Sequence, residues 1–245
     1  MTTFFAEVRQ TIVPERRGKQ GPLPQLLLAM TLVTGLVDAF SYLLLGHVFV
    51  ANMTGNVVLL GFALAGAPGF SIPASAAAIA SFGVGALVGG HTAVRLSQHR
   101  GRLLGTTASM QTAFFVASVV LAASSGNPVT AAYRYPLIVV LAVSMGIQNA
   151  AARKLAVPDL TTTVLTMTIT GVAADSTVVG GKGARAGRRL TAVAAMLAGA
   201  LLGAALVIHT AIFYPLLIVL IVTAIVAAAA AILGKPEPAW VHPES

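Results

Sequence analysis

Cysteine is absent, which excludes disulfides, thiolate nucleophiles and thiolate metal sites. Charge is scarce: Asp, Glu, Lys and Arg together make up 9% of the chain, and only 7 residues are acidic. A soluble domain of 245 residues needs far more charge on its surface. Enzyme signatures are missing as well. His47, His91, His99, His209 and His242 show no metal-ligand spacing such as His-Glu-x-x-His, and neither a Gly-x-Ser-x-Gly elbow nor a P-loop occurs. The segments between apolar runs are too short to hold a nucleotide domain. The expectation is a protein that is not an enzyme and holds no cofactor or metal.

What the chain has instead is apolar sequence: 57% of its residues are hydrophobic and the mean hydropathy is +0.88. Six runs, Leu26–Leu45, Ile72–Val94, Leu103–Ala123, Tyr135–Ala152, Leu190–Ile208 and Ile212–Leu233, carry almost no charge. A helix rises about 1.5 Å per residue and a bilayer core is about 30 Å thick, so each run is long enough to span. The net charge of +8 does not argue for nucleic acid, because the bases sit in short clusters between the runs, where membrane proteins keep their cytoplasmic anchors. The basic arm with Arg9, Arg16, Arg17 and Lys19 precedes the first run, which reads as a retained signal anchor.

Two further apolar stretches, Phe49–Ala67 and Val164–Val179, decide between six spans and eight. With the N-terminus cytoplasmic, six spans place 14 of the 15 Lys and Arg residues inside and leave Arg134 outside, whereas eight place 10 inside. The positive-inside rule therefore favours six, with both termini cytoplasmic. Each leftover stretch then enters and leaves on one side. Both open on polar sequence, Asn52-Met-Thr-Gly-Asn56 and Asp159-Leu-Thr-Thr-Thr163, with good N-cap residues. Non-helical backbone at membrane depth must be buried in protein or line a wet cavity.

An internal repeat supports the pairing. Gly35-Leu-Val-Asp-Ala39 matches Gly146-Ile-Gln-Asn-Ala150, Thr54-Gly-Asn56 stands opposite Thr166-Met-Thr168, and Gly85-Ala-Leu-Val-Gly-Gly90 matches Gly199-Ala-Leu-Leu-Gly-Ala204. The expected fold is an all-α integral membrane protein of six transmembrane helices in two inverted three-helix repeats, each with a re-entrant short helix; eight spans arranged 4+4 are the alternative. The segments are a basic arm at 1–25, one membrane repeat at 26–124, a second at 134–233 and a tail at 234–245.

At Gly35-Leu-Val-Asp-Ala-Phe-Ser-Tyr42, at Val48-Phe-Val-Ala-Asn-Met-Thr-Gly-Asn56 and at Met145-Gly-Ile-Gln-Asn-Ala-Ala-Ala-Arg-Lys154, the chain resembles the YoaK-like family of bacterial multi-pass membrane proteins. The resemblance covers about Leu26 to Leu233 and implies a bacterial cytoplasmic membrane protein, with no substrate attached. The second motif departs from the first: Met167 stands opposite Gly55.

Asp38 lies well inside the first run, where an ionisable group is costly and by default suggests function. It either handles a cation or proton, or serves as a hydrogen-bonded tie to the dipping segment. Its counterparts in the second half are Gln148 and Asn149. Asn52, Thr54, Gly55 and Asn56 form one polar knot, suited to capping a helix or to holding a polar or anionic group on free backbone N–H groups. Thr163, Thr166 and Thr168 belong to a second, where packing is the plainer role. Asp175 is expected to pair within the Lys182–Arg189 cluster. Gly83, Gly85, Gly89 and Gly90, with Gly199 and Gly203, read as helix-packing faces. Trp240 reads as an interfacial or tail residue. The expected function is a small transporter or channel for a small polar or anionic solute, held between the two dipping segments near the midplane; the alternative is a membrane scaffold or accessory subunit. The expected partners are the bilayer, anionic lipid headgroups at the basic loops, and a second copy if the unit works as a dimer.

Overall fold

The structure is a computed structural model that describes residues 2–14, 20–157, 160, 165–175, 185–235 and 238–242. The described residues form α1 (Thr2–Ile12), α2 (Leu23–Leu44), α3 (Met53–Leu64), α4 (Ile72–Arg95), α5 (Arg100–Ser124), α6 (Ala131–Leu155), α7 (Leu165–Ala174), α8 (Ala186–His209), α9 (Tyr214–Leu233) and a 3-10 turn at Ala239–Val241. Six of them, α2, α4, α5, α6, α8 and α9, are long and apolar enough to cross a membrane. α3, at 12 residues, rises about 18 Å and falls short of the roughly 30 Å required. α7, at 10 residues, is shorter still. Helix length thus favours six spans over eight.

The polarity of the molecule is that of a membrane protein. Large apolar side chains stand outward, Leu87, Leu201 and Ile232 each being 70–75% exposed, while Thr34, Asn56, Gln111, Ser144 and Gln148 are buried. In water such an apolar exterior would be an aggregation surface; in lipid it is the solvated one.

Glycines set how the spans cross. α2 packs along α8 and α4 along α6. A Cβ on Gly199 would overlap the Leu32 carbonyl, and one on Gly203 would lie 2.8 Å from the Leu36 carbonyl. In the other crossing, a Cβ on Gly85 would overlap the Val143 carbonyl, and one on Gly89 would lie 2.8 Å from the Ile147 carbonyl. Gly35 against Met196 and Ala200 has the same form as Gly146 against Phe82 and Ala86. Every residue in one crossing thus has its counterpart in the other, at the spacings of the sequence repeat. In both crossings the helices run parallel. Gly83 and Gly90, expected on the same face, meet nothing within 4 Å, because they lie on the side of α4 turned away from α6.

The remaining contacts fix direction. α2 and α6 run antiparallel: Gln148 meets Thr34, and the Arg134 guanidinium lies beside Gly46. The chain therefore leaves α2 and α6 at opposite ends of the bundle.

One tail expectation and one basic-loop expectation need correction. Trp240 is 2% exposed and seats its ring on Gly21 and Gly101, joining the core of Leu23, Leu27, Leu103 and Leu104. Small residues at 21 and 101 leave a slot that only a large ring fills. Arg100 is no surface anchor but a buried C-cap, its Nη2 donating to the Leu155 carbonyl at 2.8 Å. The N-terminal arm contains α1, which docks on α8: the Gly187 amide donates to Glu7 Oε2 at 2.9 Å, placing a carboxylate at a helix N-terminus.

Candidate functional site

After α2, Gly46 and His47 take left-handed conformations (φ 92° and 56°) that turn the chain back on itself. Residues 48–52 then form neither helix nor strand and bend at Val50 and Ala51, and their amides need acceptors at a depth without water. Asp38 supplies them. Its Oδ1 accepts from the Val50 amide at 3.0 Å and the Ala51 amide at 2.8 Å. Asn56, fully buried, closes the other side: its Nδ2 donates to the Phe49 carbonyl at 2.6 Å and its Oδ1 accepts from the Phe49 amide at 2.9 Å. Asn52 caps α3 by accepting from the Gly55 amide at 3.1 Å. Gly55 leaves room for the Phe49 ring, which a Cβ there would meet at 2.8 Å. Stacking of Tyr42 on Phe49, with centroids 5.0 Å apart, completes the clasp.

This geometry bears on the anion-binding expectation. The amides of Val50, Ala51 and Gly55 are taken by Asp38 and Asn52, so an external anion would have to displace the protein's own acceptors to reach these three. Asp38 acts here as the tie between the first span and the dipping segment. Thr54 is exposed on α3 and joins none of these bonds.

A second polar group lies in the bundle interior and is built from α2, α5 and α6. Gln148 Nε2 donates to Thr34 Oγ1 at 2.8 Å and to the Met30 carbonyl at 3.2 Å. Gln148 Oε1 accepts from Gln111 Nε2 at 3.0 Å, and that same nitrogen donates to the Ser144 carbonyl at 3.3 Å. Gln111 Oε1 and Ser144 Oγ are buried without a hydrogen-bond partner. Sequence reasoning named Gln148 and missed Gln111, Thr34 and Ser144. A lone amide in the middle of an apolar span was the available signal for Gln111; the two hydroxyls are indistinguishable by sequence from the many that bond to their own helix backbone.

The other expected residues go elsewhere. Asn149 Nδ2 donates to the Met145 carbonyl at 2.9 Å. On α7, Thr166 is exposed and Thr168 buried, and α7 packs on α8; Thr163 lies outside the described residues. Asp175 pairs with Arg189 at 2.8 Å, as its sequence context suggested. α3 is held on α4 by the short Ala65–Ser71 link and α7 lies on α8; the expected meeting of the two knots in one midplane pocket involves Thr163 and so falls partly outside the described residues. Among the described residues no group of three or more His, Asp or Glu side chains could hold a metal ion.

A family model described as "Protein of unknown function (DUF1275)" matches residues 26–229. The chain is 35% identical over 152 residues to the UPF0700 transmembrane protein YoaK of Bacillus subtilis (strain 168), a match that spans 61% of this chain and 65% of the relative. No solved structure matches the chain.

Proposed function

The chain belongs to the DUF1275 family of multi-pass membrane proteins, whose description assigns no activity, and from its geometry we propose that it is a small transporter or channel for a small polar solute. One observation carries the proposal: the interior group of Gln111, Gln148, Thr34 and Ser144, which keeps two hydrogen-bonding atoms unused. In a membrane interior an unused polar atom costs about 1–3 kcal/mol, so its retention calls for a purpose. The like-built crossings support reading the halves as inverted repeats, a plan that lets one half rock against the other around a central site. α3 and α7 then stand as gates at opposite ends. The membrane is the bacterial cytoplasmic one, with both termini inside. The interior group holds amides and hydroxyls and no Lys or Arg, which favours a neutral polar solute over an anion.

A scaffold role has its own supporting observation: Asp38, Asn52 and Asn56 are occupied by internal bonds, leaving α3 a fixed structural element. Osmotic shrinkage of proteoliposomes, followed by stopped-flow light scattering with glycerol, urea, erythritol and glycine, separates the two. The transporter proposal expects flux of at least one solute above protein-free vesicles, abolished by Gln111→Leu in a variant that still folds. Flux equal to empty vesicles for all four, or flux indifferent to Gln111→Leu, would leave the scaffold role standing.

A further inference from the structure

Outside the transport question, α4 and α5 part toward the end of the bundle that carries their connecting turn. Two cavities open there, of about 660 and 480 Å³, and they share Leu96 and Thr106 in their walls. The first runs along α4 past Leu87, Val88 and Met110; the second passes between α5 and α9, where Gly105, Ala227 and Ala231 leave the floor bare of side-chain volume. Bases stand among the lining of both: Arg95 and His91 in the first, Arg102, His99 and Lys235 in the second. No acidic residue lines either cavity. α5 starts and α9 ends at this mouth, as does α4, so the bases gather at one level while the apolar wall runs inward from them. From Leu87 to Arg95 the helix rises about 12 Å.

We propose that this joined groove binds one phospholipid with an anionic headgroup. Two requirements point to a lipid and not to a free anion. The groove is open to its surroundings, and its mostly apolar walls within the hydrocarbon layer favour a hydrocarbon chain over water. An acyl chain fills it. At the mouth, the Arg95 and Lys235 side chains make no ion pair or hydrogen bond among the described residues. A phosphodiester seated there neutralises both, and basic side chains near an anionic lipid surface attract it measurably. Inorganic phosphate would satisfy the bases and leave the groove empty.

The test uses the purified full chain in a neutral detergent, probed with phosphatidylglycerol, phosphatidylcholine and inorganic phosphate. Bound lipid is read by native mass spectrometry and stabilisation by the thermal unfolding midpoint. Phosphatidylglycerol is expected to stay bound and raise the midpoint, with a preference over phosphatidylcholine on the order of tenfold, as two basic side chains imply. Arg95→Gln with Lys235→Gln should erase that preference. Thr106→Trp, which fills the shared part of the groove, should expel both lipids. These positions are exposed, so the variants are expected to fold; the single Lys235→Gln variant provides a milder step. Equal retention of the two phospholipids, stabilisation by phosphate that matches phosphatidylglycerol, or a preference that survives the double substitution would overturn the proposal.

Discussion

Removing the Asp38 carboxylate tests the clasp that holds the dipping segment to the first span. In Asp38→Ala the amides of Val50 and Ala51 lose their acceptor. Both residues are buried, at 0% and 3% exposure, so water does not replace it. Each abandoned donor costs about 1–3 kcal/mol, which gives about 2–6 kcal/mol for the variant. Asp38→Asn keeps an acceptor oxygen at the same place, and its cost should be about 1–2 kcal/mol. Asn56→Ala breaks the two bonds to Phe49 and should cost about 2–4 kcal/mol. Since both side chains clamp one five-residue stretch, the Asp38→Ala, Asn56→Ala double variant should lose less than the two singles combined. Denaturant titration in detergent micelles, followed by far-UV circular dichroism, measures all four. The reasoning fails if Asp38→Ala unfolds within about 0.5 kcal/mol of wild type. It also fails if Asp38→Asn is as damaging as Asp38→Ala, since the position would then need a charge and not an acceptor.

The like-built crossings predict like penalties: Gly89→Ala and Gly203→Ala should each destabilise by about 1–3 kcal/mol in the same titration, whereas Gly83→Ala, with open space around it, should be neutral or gain up to about 1 kcal/mol from helix propensity. Trp240→Ala should cost about 3–5 kcal/mol and expose the ends of α2 and α5 to protease, since the ring fills the slot between Gly21 and Gly101. Ser144→Ala removes an unpartnered hydroxyl and should leave stability unchanged or raised, while lowering any solute flux seen in vesicles. Because the native chain has no cysteine, Ser71→Cys and Ser97→Cys report on the two ends of α4; a membrane-impermeant maleimide should label position 71 in intact cells and position 97 only after permeabilisation, and the reverse pattern would refute six spans.

The spans were legible because their signal is redundant: each is a long uncharged run, and α2, α4, α5, α6, α8 and α9 all fall within a few residues of those runs. The short helices were legible as breaks in that signal, since Asn52 and the polar sequence around Thr54 announce a cap and not a continuing span. The tie from Asp38 was open to reading as one of two roles, because a buried acid next to an irregular segment has amides to serve. What could not be read was which groups face one another across the bundle. Gln148 and Asn149 are sequence neighbours, yet on a helix they point about 100° apart, and only Gln148 reaches Gln111. Trp240 was misjudged for the same reason. Its slot is formed by glycines 219 and 139 residues away, and no local pattern announces it.

The two polar groups of the interior therefore differ in a way that decides where function belongs. Around Asp38 the bonds to residues 49–51 close on the protein's own backbone: a carboxylate and an amide side chain stand in for the sheet or helix partners that these residues lack. Such a group is explained once the fold is explained, since irregular backbone at that depth could not exist without it. Around Gln111 the reverse holds. α2, α5 and α6 are regular helices whose backbones are already satisfied, so leucines at 111 and 148 would leave no backbone donor or acceptor of these helices unmet. The fold has no need of two glutamines in that place, and one of them keeps an oxygen idle. A structural requirement accounts for Asp38 and Asn56; the idle oxygen of Gln111 is the atom that the proposed solute would use.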